Sequence, residues 1–435
     1  MTTAQPDDST EVGSYFVSNY PPFSFWSPEN LPSAFEALGT ESAREVPIGL
    51  YLHIPFCRKR CKFCYFRVYT DKNSKQIERY VNALAREIEM YQEFPGIAGR
   101  PFKFVYFGGG TPSYLSSKQL RNLVASLRES IGWDSAEEVT FECEPGTLNQ
   151  GKLETIREIG VTRLSLGIEN FNDDILEENG RAHRTPECLE SYKWASALDF
   201  DQINIDLIAG MVGETEANWK ECVQRALELQ PGCLTVYQME LPFNTIYSKE
   251  GLGGTGAVAD WETTRRWAQY AFSEFVNAGY HQSSAYTVVR DPATRFVYRD
   301  ALWEGSDMLG TGVASFGHFQ GFHIQNVDGI EAYNEMVEAG ELPLGRAYEL
   351  EPREKMIREF VLQLKKGRVE AAYFLDKFGT DVNTEFQEQL GNHRQDGYLE
   401  ITENGDIRVT TSGLLRVDSL LEPFFEDRHR GARYT

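Results

Sequence analysis

Three cysteines stand close together where residues 51–66 read Tyr-Leu-His-Ile-Pro-Phe-Cys-Arg-Lys-Arg-Cys-Lys-Phe-Cys-Tyr-Phe. Cys57, Cys61 and Cys64 have the spacing Cys-x3-Cys-x2-Cys. Three thiolates can each hold one iron of a [4Fe–4S] cube, which leaves the fourth iron open to a small chelating ligand. Basic residues lie between the cysteines, and positive charge lowers thiol pKa values and offsets the charge of an anionic cluster. The spacing therefore predicts an iron–sulfur centre with one open coordination position.

Two other interpretations of these cysteines compete with the first. A structural zinc ion usually needs a fourth ligand, and the nearest candidate, His53, lies in a predicted strand where its side chain could point either way. Three unrelated buried thiols are the other alternative, although free cysteines rarely crowd in this way. The remaining cysteines are scattered and are expected to be ordinary buried thiols: Cys143, Cys188, Cys222 and Cys233.

Charge and composition limit the partners and the compartment. The 435 residues carry a formal net charge of −22. Such a chain repels phosphate backbones and anionic lipid heads, which argues against nucleic acid and membranes as partners. No apolar run approaches the length of a membrane span, and residues 1–14 lack the pattern of a secretory signal. We expect a cytoplasmic protein with reduced cysteines rather than a disulfide framework.

Strand and helix patterns alternate from residue 48 onward. Apolar runs predict strands at 48–54, 102–107, 138–142, 163–168, 202–207 and 233–239. Helical spacing predicts helices at 76–91, 117–131, 148–158, 185–197, 216–229 and 260–278. This rhythm predicts an α/β fold with a parallel sheet, closed as a barrel or open as a partial barrel. Active sites of such folds gather at the carboxyl ends of the strands, where the cysteines also lie.

The two ends of the chain differ from this middle part. We expect residues 1–45 to form a polar tail and an aromatic arm that packs on a main domain, 46–349. Residues 350–435 should form a separate domain, in which helical patterns precede two short strands. Asn404 and Gly405 join these strands and are a strong hairpin signal. This order predicts a winged-helix-like α+β module with a packing or lid role.

Residues suited to ligand binding follow the later strands. Gly109, Gly110 and Thr111 come after the second strand, where glycines let backbone N–H groups approach a ligand, although a plain turn would also use them. Glu142 ends the third strand, as an acceptor for hydroxyl groups or as an acid that faces water. Asp206 ends a buried apolar strand and needs a partner there.

The cysteine spacing and the wording Tyr51-x-His53-Ile54-Pro55-Phe56-Cys57 resemble the radical S-adenosylmethionine (SAM) superfamily. Within it, the chain is similar to the family of oxygen-independent coproporphyrinogen III oxidases and their haem-chaperone relatives, from about residue 48 to the C-terminus. The resemblance implies a partial (β/α)6 radical SAM barrel and that family's C-terminal domain. It also implies a [4Fe–4S] cluster and reductive cleavage of SAM to a 5′-deoxyadenosyl radical.

The resemblance assigns roles to most of the candidate residues. Gly109, Gly110 and Thr111 match the segment that receives the methionine amino group, and Glu142 matches an acid that binds the ribose hydroxyls. Arg181 matches an arginine that meets the SAM carboxylate, an assignment that competes with a surface salt bridge.

Further residues of the expected cofactor site come from the same resemblance. Asp206 is expected near the cofactor, Met239 at the adenine or in the core, Tyr51 in the site, and Phe63 at a second SAM position. Glu169 stands where the family usually has Gln, so it still accepts from ribose but adds charge and loses an amide donor.

The chain also departs from both best-known branches of the family. The oxidases usually have a further cysteine where this chain has Phe66. The chaperones have a His-Asn-x-x-Tyr-Trp segment before a Leu-Gly-x-Gly turn; the turn is expected at residues 309–312, and Trp303 is present. Tyr298 and Arg299 replace the His and the Asn, so the haem ligand of that segment is absent. His281, His318 and His323 remain, but a lone histidine is more often structural.

The expected function is that of a radical SAM oxidoreductase resembling coproporphyrinogen dehydrogenase. Its substrate would be a small molecule, with a tetrapyrrole as the type substrate of the family and other aromatic molecules as alternatives. A flavodoxin- or ferredoxin-like protein would supply the electron. Three alternatives stay open: a haem chaperone, a two-SAM methyltransferase or cyclase, and a zinc-stabilised structural protein.

Overall fold

The computed structural model describes residues 19–42, 46–133, 135–242, 244–251 and 258–432. The tail predicted before residue 19 lies outside the described residues. The strands are β1 Ile48–Ile54, β2 Phe102–Gly109, β3 Glu138–Cys143, β4 Arg163–Glu169, β5 Gln202–Ala209, β6 Cys233–Gln238, β7 His281–Gln282, β8 Thr287–Val289, β9 Asp307–Thr311, β10 Phe316–Phe319, β11 Phe322–Asn326, β12 Leu344–Glu349, β13 Arg368–Val369, β14 Leu399–Ile401 and β15 Ile407–Val409.

Helices surround these strands and follow them. They are α1 Leu31–Leu38, α2 Ser74–Tyr91, α3 Ser117–Ser130, α4 Gln150–Glu158, α5 Asp173–Glu178, α6 Thr185–Ser196, α7 Glu216–Leu229, α8 Ile246–Lys249, α9 Trp261–Asn277, α10 Val297–Trp303, α11 Ile330–Glu338, α12 Pro352–Leu364, α13 Ala371–Phe378, α14 Val382–Glu385, α15 Gln387–Gln395 and α16 Thr411–Leu414. Among the described residues, none of the helices is both long and apolar enough to cross a membrane.

Strands β1 to β6 lie side by side in chain order, each parallel to the next. The large sheet has β12 at one edge and β7 at the other, so it stays open. The prediction of an α/β fold with a parallel sheet, left open as a partial barrel, is therefore confirmed. Because the six strands run in one direction, their carboxyl ends share one edge of the sheet, where a site can form.

Alternation along the strands separates the two faces of the sheet. In β1, Leu50 and Leu52 are fully buried in the main hydrophobic cluster beneath the helices, whereas Tyr51 and His53 point to the opposite face. The helix α2 begins with a capping box of Asn73 and Gln76, which satisfies backbone N–H groups that have no partner in the helix. The sheet thus buries one face under helices and leaves the other face, here called the lumen, for polar and aromatic side chains.

The position of the strand β9 shows that the turn expected at residues 309–312 was placed too early in the chain. Residues 309–312 were expected to form a turn, but Leu309, Gly310 and Thr311 lie in β9, which pairs with β1 in parallel. A side chain on Gly310 would come within 2.0 Å of the Phe316 carbonyl oxygen, so the glycine permits close approach of two strands rather than a turn. The chain turns one residue later, at Gly312, whose φ is +95°.

A second hydrophobic cluster lies mainly in the C-terminal part of the chain, where α12 packs with α13 to α15 and with the strands β13, β15 and β14. The predicted hairpin is present as β14 and β15, whereas the winged-helix assignment stays a prediction. Tyr20 of the aromatic arm belongs to this cluster, and Ser27 pairs with Ala347 of β12. The division into 1–45, 46–349 and 350–435 remains a proposal.

Candidate active site at the carboxyl ends of the parallel strands

The loop that carries the three cysteines follows β1 and is held at both of its ends. The backbone N–H of Cys57 donates to the Tyr69 carbonyl at 3.1 Å, and the Tyr69 N–H donates to the Pro55 carbonyl at 2.8 Å. In the middle of the loop, the Lys62 N–H donates to the Asn179 carbonyl at 3.1 Å. All three cysteines are partly buried and free of disulfides.

Donor groups from the end of β2 and from the segment between α5 and α6 reach the cysteine sulfurs. The Thr111 hydroxyl lies 3.3 Å from the Cys57 sulfur, and Nη1 of Arg181 lies 3.3 Å from the Cys61 sulfur. A Cβ atom at Gly110 would stand 3.0 Å from the Cys57 sulfur, so this position leaves no room for a side chain. Burial raises the pKa of Cys57 to about 11, and iron would have to displace the proton.

The arrangement of the thiols bears on the choice between zinc and a cluster. Within the described ranges, no three or more His, Cys, Asp or Glu side chains are placed to hold one metal ion together. A structural zinc ion needs its ligands at about 2.0–2.3 Å from a single centre. A [4Fe–4S] cube takes each thiolate on a different iron, so the sulfurs need not converge. The donor set of three thiolates, with N–H and O–H donors against two of the sulfurs, therefore fits a cube better than zinc.

A buried carboxylate that the sequence did not single out, Glu144, holds the cysteine loop against β3. It accepts from Nε of Arg58 at 3.2 Å, lies 3.0 Å from Nδ1 of His183, and accepts from the Gly146 N–H at 3.1 Å. Burial alone would raise the pKa of Glu144, but the His183 hydrogen bond and the charges of Arg181 and Arg58 outweigh it and lower this pKa to about 2. Glu144 is therefore an anion that fixes Arg58, the residue directly after the first cysteine.

Glu142 lies at the end of β3 and faces the lumen. The Tyr106 hydroxyl donates to its Oε1 at 2.7 Å. Burial, aided by the charge of Asp206, raises the pKa of Glu142 to about 7 despite the Tyr106 hydrogen bond. Tyr51 stacks beside Tyr106 with ring centroids 5.7 Å apart, and its hydroxyl lies 3.5 Å from Nδ1 of His53. The carboxyl group and the tyrosines thus form one polar wall next to the glycine segment.

Glu169 and Arg181 meet at the end of β4. Nη2 of Arg181 donates to the Gly167 carbonyl at 2.5 Å and lies 3.6 Å from Oε1 of Glu169. Glu169 has a φ of +65°, a region that non-glycine residues rarely occupy and that often marks functional sites. Burial raises the pKa of Glu169 to about 7, although the charge of Arg181 lowers it. The Arg181 and Glu169 side chains are only 11% and 13% exposed, so this ion pair lies inside the site and not on the surface of a helix.

Asp206 has the partners that its position in a buried strand demands. Its carboxylate accepts from the Ser165 hydroxyl at 2.7 Å and from the Asn204 amide at 2.9 Å. Asp206 contributes a charge that raises the pKa of both Glu142 and Glu169, which shows that these three carboxyl groups are neighbours.

Met239 and Phe63 share a small apolar cluster beside this polar group. Met239 is buried, and its N–H donates to the Ala209 carbonyl at 2.8 Å. Phe63, between the second and third cysteines, packs against the cluster that contains Met239 and Met211. The structure thus places the sequence-predicted site residues on or near the lumen face and the carboxyl ends of β1 to β6. Asp206 was expected to end its strand, but β5 continues to Ala209, so Asp206 lies within β5, as Tyr51 lies within β1. Glu144, Arg58 and His183 were missed because their contacts join distant parts of the chain.

The positions that depart from the related proteins have different surroundings. Phe66 is 43% exposed, and its ring lies 4.5 Å from that of Tyr65. Tyr298 lies on α10 with its ring 4.3 Å from that of Tyr106. Arg299 is buried and donates to the Ser283 hydroxyl at 3.1 Å.

Two of the remaining histidines, His318 and His323, are buried, and their ring nitrogens are in hydrogen-bonding contact with other groups. Nδ1 of His318 lies 3.1 Å from Nδ1 of His323, and Nε2 of His323 lies 2.9 Å from the Tyr20 carbonyl oxygen. His281 is exposed on β7, away from the strand ends. None of these three residues lies among the site residues described above.

Comparisons with known proteins agree with this geometry. Residues 51–226 match the family model of the Radical SAM superfamily. The chain is 27% identical to the heme chaperone HemW of Bacillus subtilis over 367 residues, which covers 84% of this chain and 96% of that protein. It is 24% identical to the oxygen-independent coproporphyrinogen III oxidase of Synechocystis over 429 residues, 94% of this chain and 91% of that protein.

A solved structure extends the agreement to the fold. The coproporphyrinogen III oxidase HemN of Escherichia coli superposes with a TM-score of 0.81 at 24% identity, and the match covers 94% of this chain and 96% of that one. The matched segment begins at Tyr51 and includes the three cysteines, the glycine segment and the carboxyl groups at the ends of β3 to β5. The chain therefore contains a radical SAM domain, and over most of its length it is similar to HemN and HemW.

Proposed function

We propose that this chain is a radical SAM oxidoreductase that cleaves SAM reductively and acts on a tetrapyrrole or another aromatic substrate. The observation that carries the proposal is the meeting of three cysteines, one arginine and three carboxyl groups, all partly buried, near one edge of a parallel sheet. A [4Fe–4S] cluster and SAM are the cofactors of this family. When bound, they supply an electron and a 5′-deoxyadenosyl radical, chemistry that the protein orients and keeps from water.

Different residues would bind the cluster and the SAM carboxylate. Cys57, Cys61 and Cys64 would hold the cluster, and the N–H and O–H donors of Arg181 and Thr111 would offset the negative charge on their sulfurs. Arg181 would also meet the SAM carboxylate, which would compete with Glu169 for the guanidinium group.

The ribose and the adenine would lie further along the sheet. Glu142 would accept from the ribose hydroxyls, with Glu169 and Asp206 beside it. Met239 would contact the adenine, and Phe63 packs on the same cluster. That packing supports a place for Phe63 beside the first SAM and lends no support to a second SAM position there. The electron would come from a flavodoxin- or ferredoxin-like protein in the cytoplasm.

Cysteine variants test the proposal directly. After anaerobic reconstitution with iron and sulfide, the wild-type protein should be brown and should form 5′-deoxyadenosine from SAM under reducing conditions. Cys57→Ala, Cys61→Ala and Cys64→Ala should each lose the cluster and this product, because no other thiol can replace the missing ligand. Cys222→Ala is the matched control, since Cys222 is a buried thiol of α7 outside the loop. Full iron content in any of the three loop variants would contradict the proposal.

Coproporphyrinogen III tests the narrowest version of the function. Decarboxylated product together with 5′-deoxyadenosine would assign the oxidase activity to this chain. Cleavage of SAM without conversion of this compound would point to another aromatic substrate, which the exposed Phe66 at the position of the additional cysteine favours.

A haem chaperone is the second candidate, because several relatives of similar coverage carry that name. The positions of the chaperone histidine and asparagine hold Tyr298 and Arg299, on a helix whose first N–H groups donate to Glu138 at 3.1 Å. We therefore expect that haem titrated into the reconstituted protein gives no stable, stoichiometric Soret band. A one-to-one complex that survives gel filtration would instead favour the chaperone.

A further inference from the structure

A cavity of about 450 Å³ lies where the helices α2 and α11 end, beside α1 and the edge strand β12. Cavities that bind small molecules have volumes of about 300–1,000 Å³ and are lined mainly by apolar side chains. The apolar lining of this one, here called the α2–α11 cavity, consists of Phe35, Met90, Phe94, Met336, Leu342 and Leu344. Its volume and its lining are therefore those of a site for a small molecule.

The α2–α11 cavity lies far from the cysteine loop. The helix α2 begins at Ser74, shortly after that loop, and ends at Tyr91, before β2 begins at Phe102. Met90, in the last turn of α2, is therefore roughly 24 Å along the helix from Ser74, toward the amino ends of the parallel strands. None of the described residues that line the cavity belongs to the candidate active site.

The lining can contact both an apolar group and a cation. Phe35 is 37% exposed, and the side chains of Phe94 and Met336 are partly buried. Aromatic ring faces attract cations as well as apolar groups, and the flexible thioethers of Met90 and Met336 adapt to ligands of irregular shape. Gly340 follows α11 with a φ of +80°, and a Cβ atom there would meet no other atom within 4 Å. The wall at Gly340 is therefore bare backbone that leaves space for a ligand.

Two carboxylates adjoin this apolar lining. Glu93 and Glu341 line the cavity, both are exposed, and among the described residues neither forms an ion pair. The C-terminal ends of α2 and α11 meet at the same place, and a helix C-terminus carries a partial negative charge. Neither helix has a basic residue in its last turn that would offset this charge. Two acids and two helix ends therefore favour a positively charged group on the ligand.

The cations of the surrounding elements are bound to other groups or lie far away. Residues 29–42, 85–99 and 330–345 contain ten glutamates and one basic residue, Arg86, which pairs with Glu89 at 3.1 Å. Lys75 stands in the first turn of α2, at the opposite end of the helix. The other nearby cations have these partners: Glu331 and Glu338 for Arg79, Asp307 for Arg100, and Gln325 and the Phe23 ring for Arg346. The negative charge at the cavity is therefore not neutralised by the described cations around it.

We propose that the α2–α11 cavity binds a small organic ammonium ion with an apolar body, a ligand distinct from SAM and from the substrate of the candidate active site. The apolar body contacts the rings and thioethers of the lining, and the ammonium group lies near Glu93 and Glu341. This inference goes beyond the proposed function and does not depend on it.

Three probes that share one phenylpropyl body and differ in charge test the proposal. They are 3-phenylpropylamine, which is an ammonium ion at pH 7, 3-phenylpropan-1-ol and 3-phenylpropionate. Each is titrated anaerobically into the reconstituted full chain, labelled with carbon-13 at the methionine methyl groups. The NMR signals of the two methionines in the cavity report binding there, and Met90→Leu and Met336→Leu assign these signals.

The three probes should differ in affinity. We expect the ammonium probe to bind at least about fivefold more tightly than the alcohol, and at least about tenfold more tightly than the carboxylate, at low salt. Both ratios should shrink as salt is added, because salt screens the attraction between exposed charges. The signals of Met211 and Met239, which lie in the apolar cluster beside the expected SAM site, should not move.

Variants separate the two local carboxylates from the general acidity of the chain. Glu93→Gln together with Glu341→Gln should lower the affinity of the ammonium probe to about that of the alcohol, whose own affinity should not change. Met336→Trp should weaken all three probes, because the larger side chain fills the cavity. Glu129→Gln, an exposed acid on α3, is the control that should leave all three affinities unchanged.

Three results would overturn the inference. The first is that the ammonium probe leaves the signals of Met90 and Met336 unmoved or binds no more tightly than the other two probes. The second is an equal loss of ammonium affinity in Glu129→Gln and in the double variant. The third is a shift of the same signals when the protein alone is diluted, together with a dimer in gel filtration, because a second copy of the chain would then cover the cavity.

Discussion

Two carboxyl groups, the fully buried Glu87 and the partly buried Glu142, have the same raised pKa of about 7 and very different surroundings. Glu87, on α2, accepts from the Gly312 N–H at 2.8 Å, the Asn326 amide at 2.7 Å and the Tyr333 hydroxyl at 2.5 Å. Glu142 accepts from the Tyr106 hydroxyl at 2.7 Å and from the Gly109 backbone N–H, and it is partly open to the lumen. Burial is the largest cause of the pKa shift in both residues.

The difference between them separates a structural acid from a binding acid. Glu87 already accepts hydrogen bonds from the turn after β9, from β11 and from α11. It therefore ties these three elements to α2 and has little capacity left to accept from a ligand. Glu142 keeps accepting capacity at the edge of the site. A raised pKa therefore does not by itself identify a functional acid, and the number of donors already bound to the carboxylate decides the question.

Among the changes that test this comparison, Glu87→Gln should lower the free energy of unfolding the most. The amide would turn a donor toward one of the N–H groups that now bind the carboxylate, which leaves a buried donor without a partner. We expect a loss of about 3 kcal/mol in the free energy of unfolding, measured by urea titration. The folded fraction should still bind SAM normally. Unchanged stability would mean that Glu87 is not the structural acid of the pair.

An effect of similar size on the free energy of unfolding should appear when pH is varied. The pKa of Glu87 is about 7 in the folded state and 4.5 in its ordinary state, so between these values the folded protein binds more protons than the unfolded chain. The contribution is therefore fully present below pH 4.5, falls as pH rises, and is lost by about pH 7, a decline of about 3 kcal/mol. Subtracting the profile of Glu87→Gln from that of the wild-type protein isolates this decline, because most other groups cancel. Parallel profiles would show that Glu87 keeps an ordinary pKa.

The smallest effect on stability should come from Glu142→Gln. The amide retains an oxygen for the Tyr106 hydroxyl, so we expect the free energy of unfolding to change by less than about 1 kcal/mol. The affinity for SAM should fall by about tenfold, because a charge-assisted hydrogen bond to the ribose becomes a neutral one. Calorimetric titration of SAM into the reconstituted variant measures this loss. Large destabilisation with normal SAM binding would reverse the roles assigned to the two acids.

The parallel strands and the cysteine site follow from local signals in the sequence. Each of β1 to β6 is an apolar run, and each stands within about two residues of its predicted bounds. The position of Asp206 in such a run correctly indicated a need for partners, which Ser165 and Asn204 supply. Because parallel strands end at one edge, knowledge of the strand order is sufficient to bring these residues together.

The parts that were not predicted depend on contacts between distant segments. The strand β9 has five residues, including Asp307 and Gly310, and its pairing with β1 on one side and with β10 on the other makes it a strand. Glu144 is a hub because Arg58 and His183 approach it from other segments. Glu87 did leave a signal, since it lies three residues after the buried Leu84 and four before the buried Tyr91, on the same face of the helix. An acid on an apolar stripe needs buried donors, but the sequence does not say which elements supply them.

Tyr20 joins two ends of the chain that are synthesised far apart in time. Its hydroxyl accepts from the Glu426 N–H at 3.0 Å and lies 2.9 Å from Nδ1 of His429, and its carbonyl oxygen lies 2.9 Å from His323. A growing chain exposes the aromatic arm early, whereas residues 426–429 leave the ribosome more than four hundred residues later. The arm therefore cannot complete its docking during most of translation, and it is exposed to chaperones and proteases until the C-terminal segment arrives.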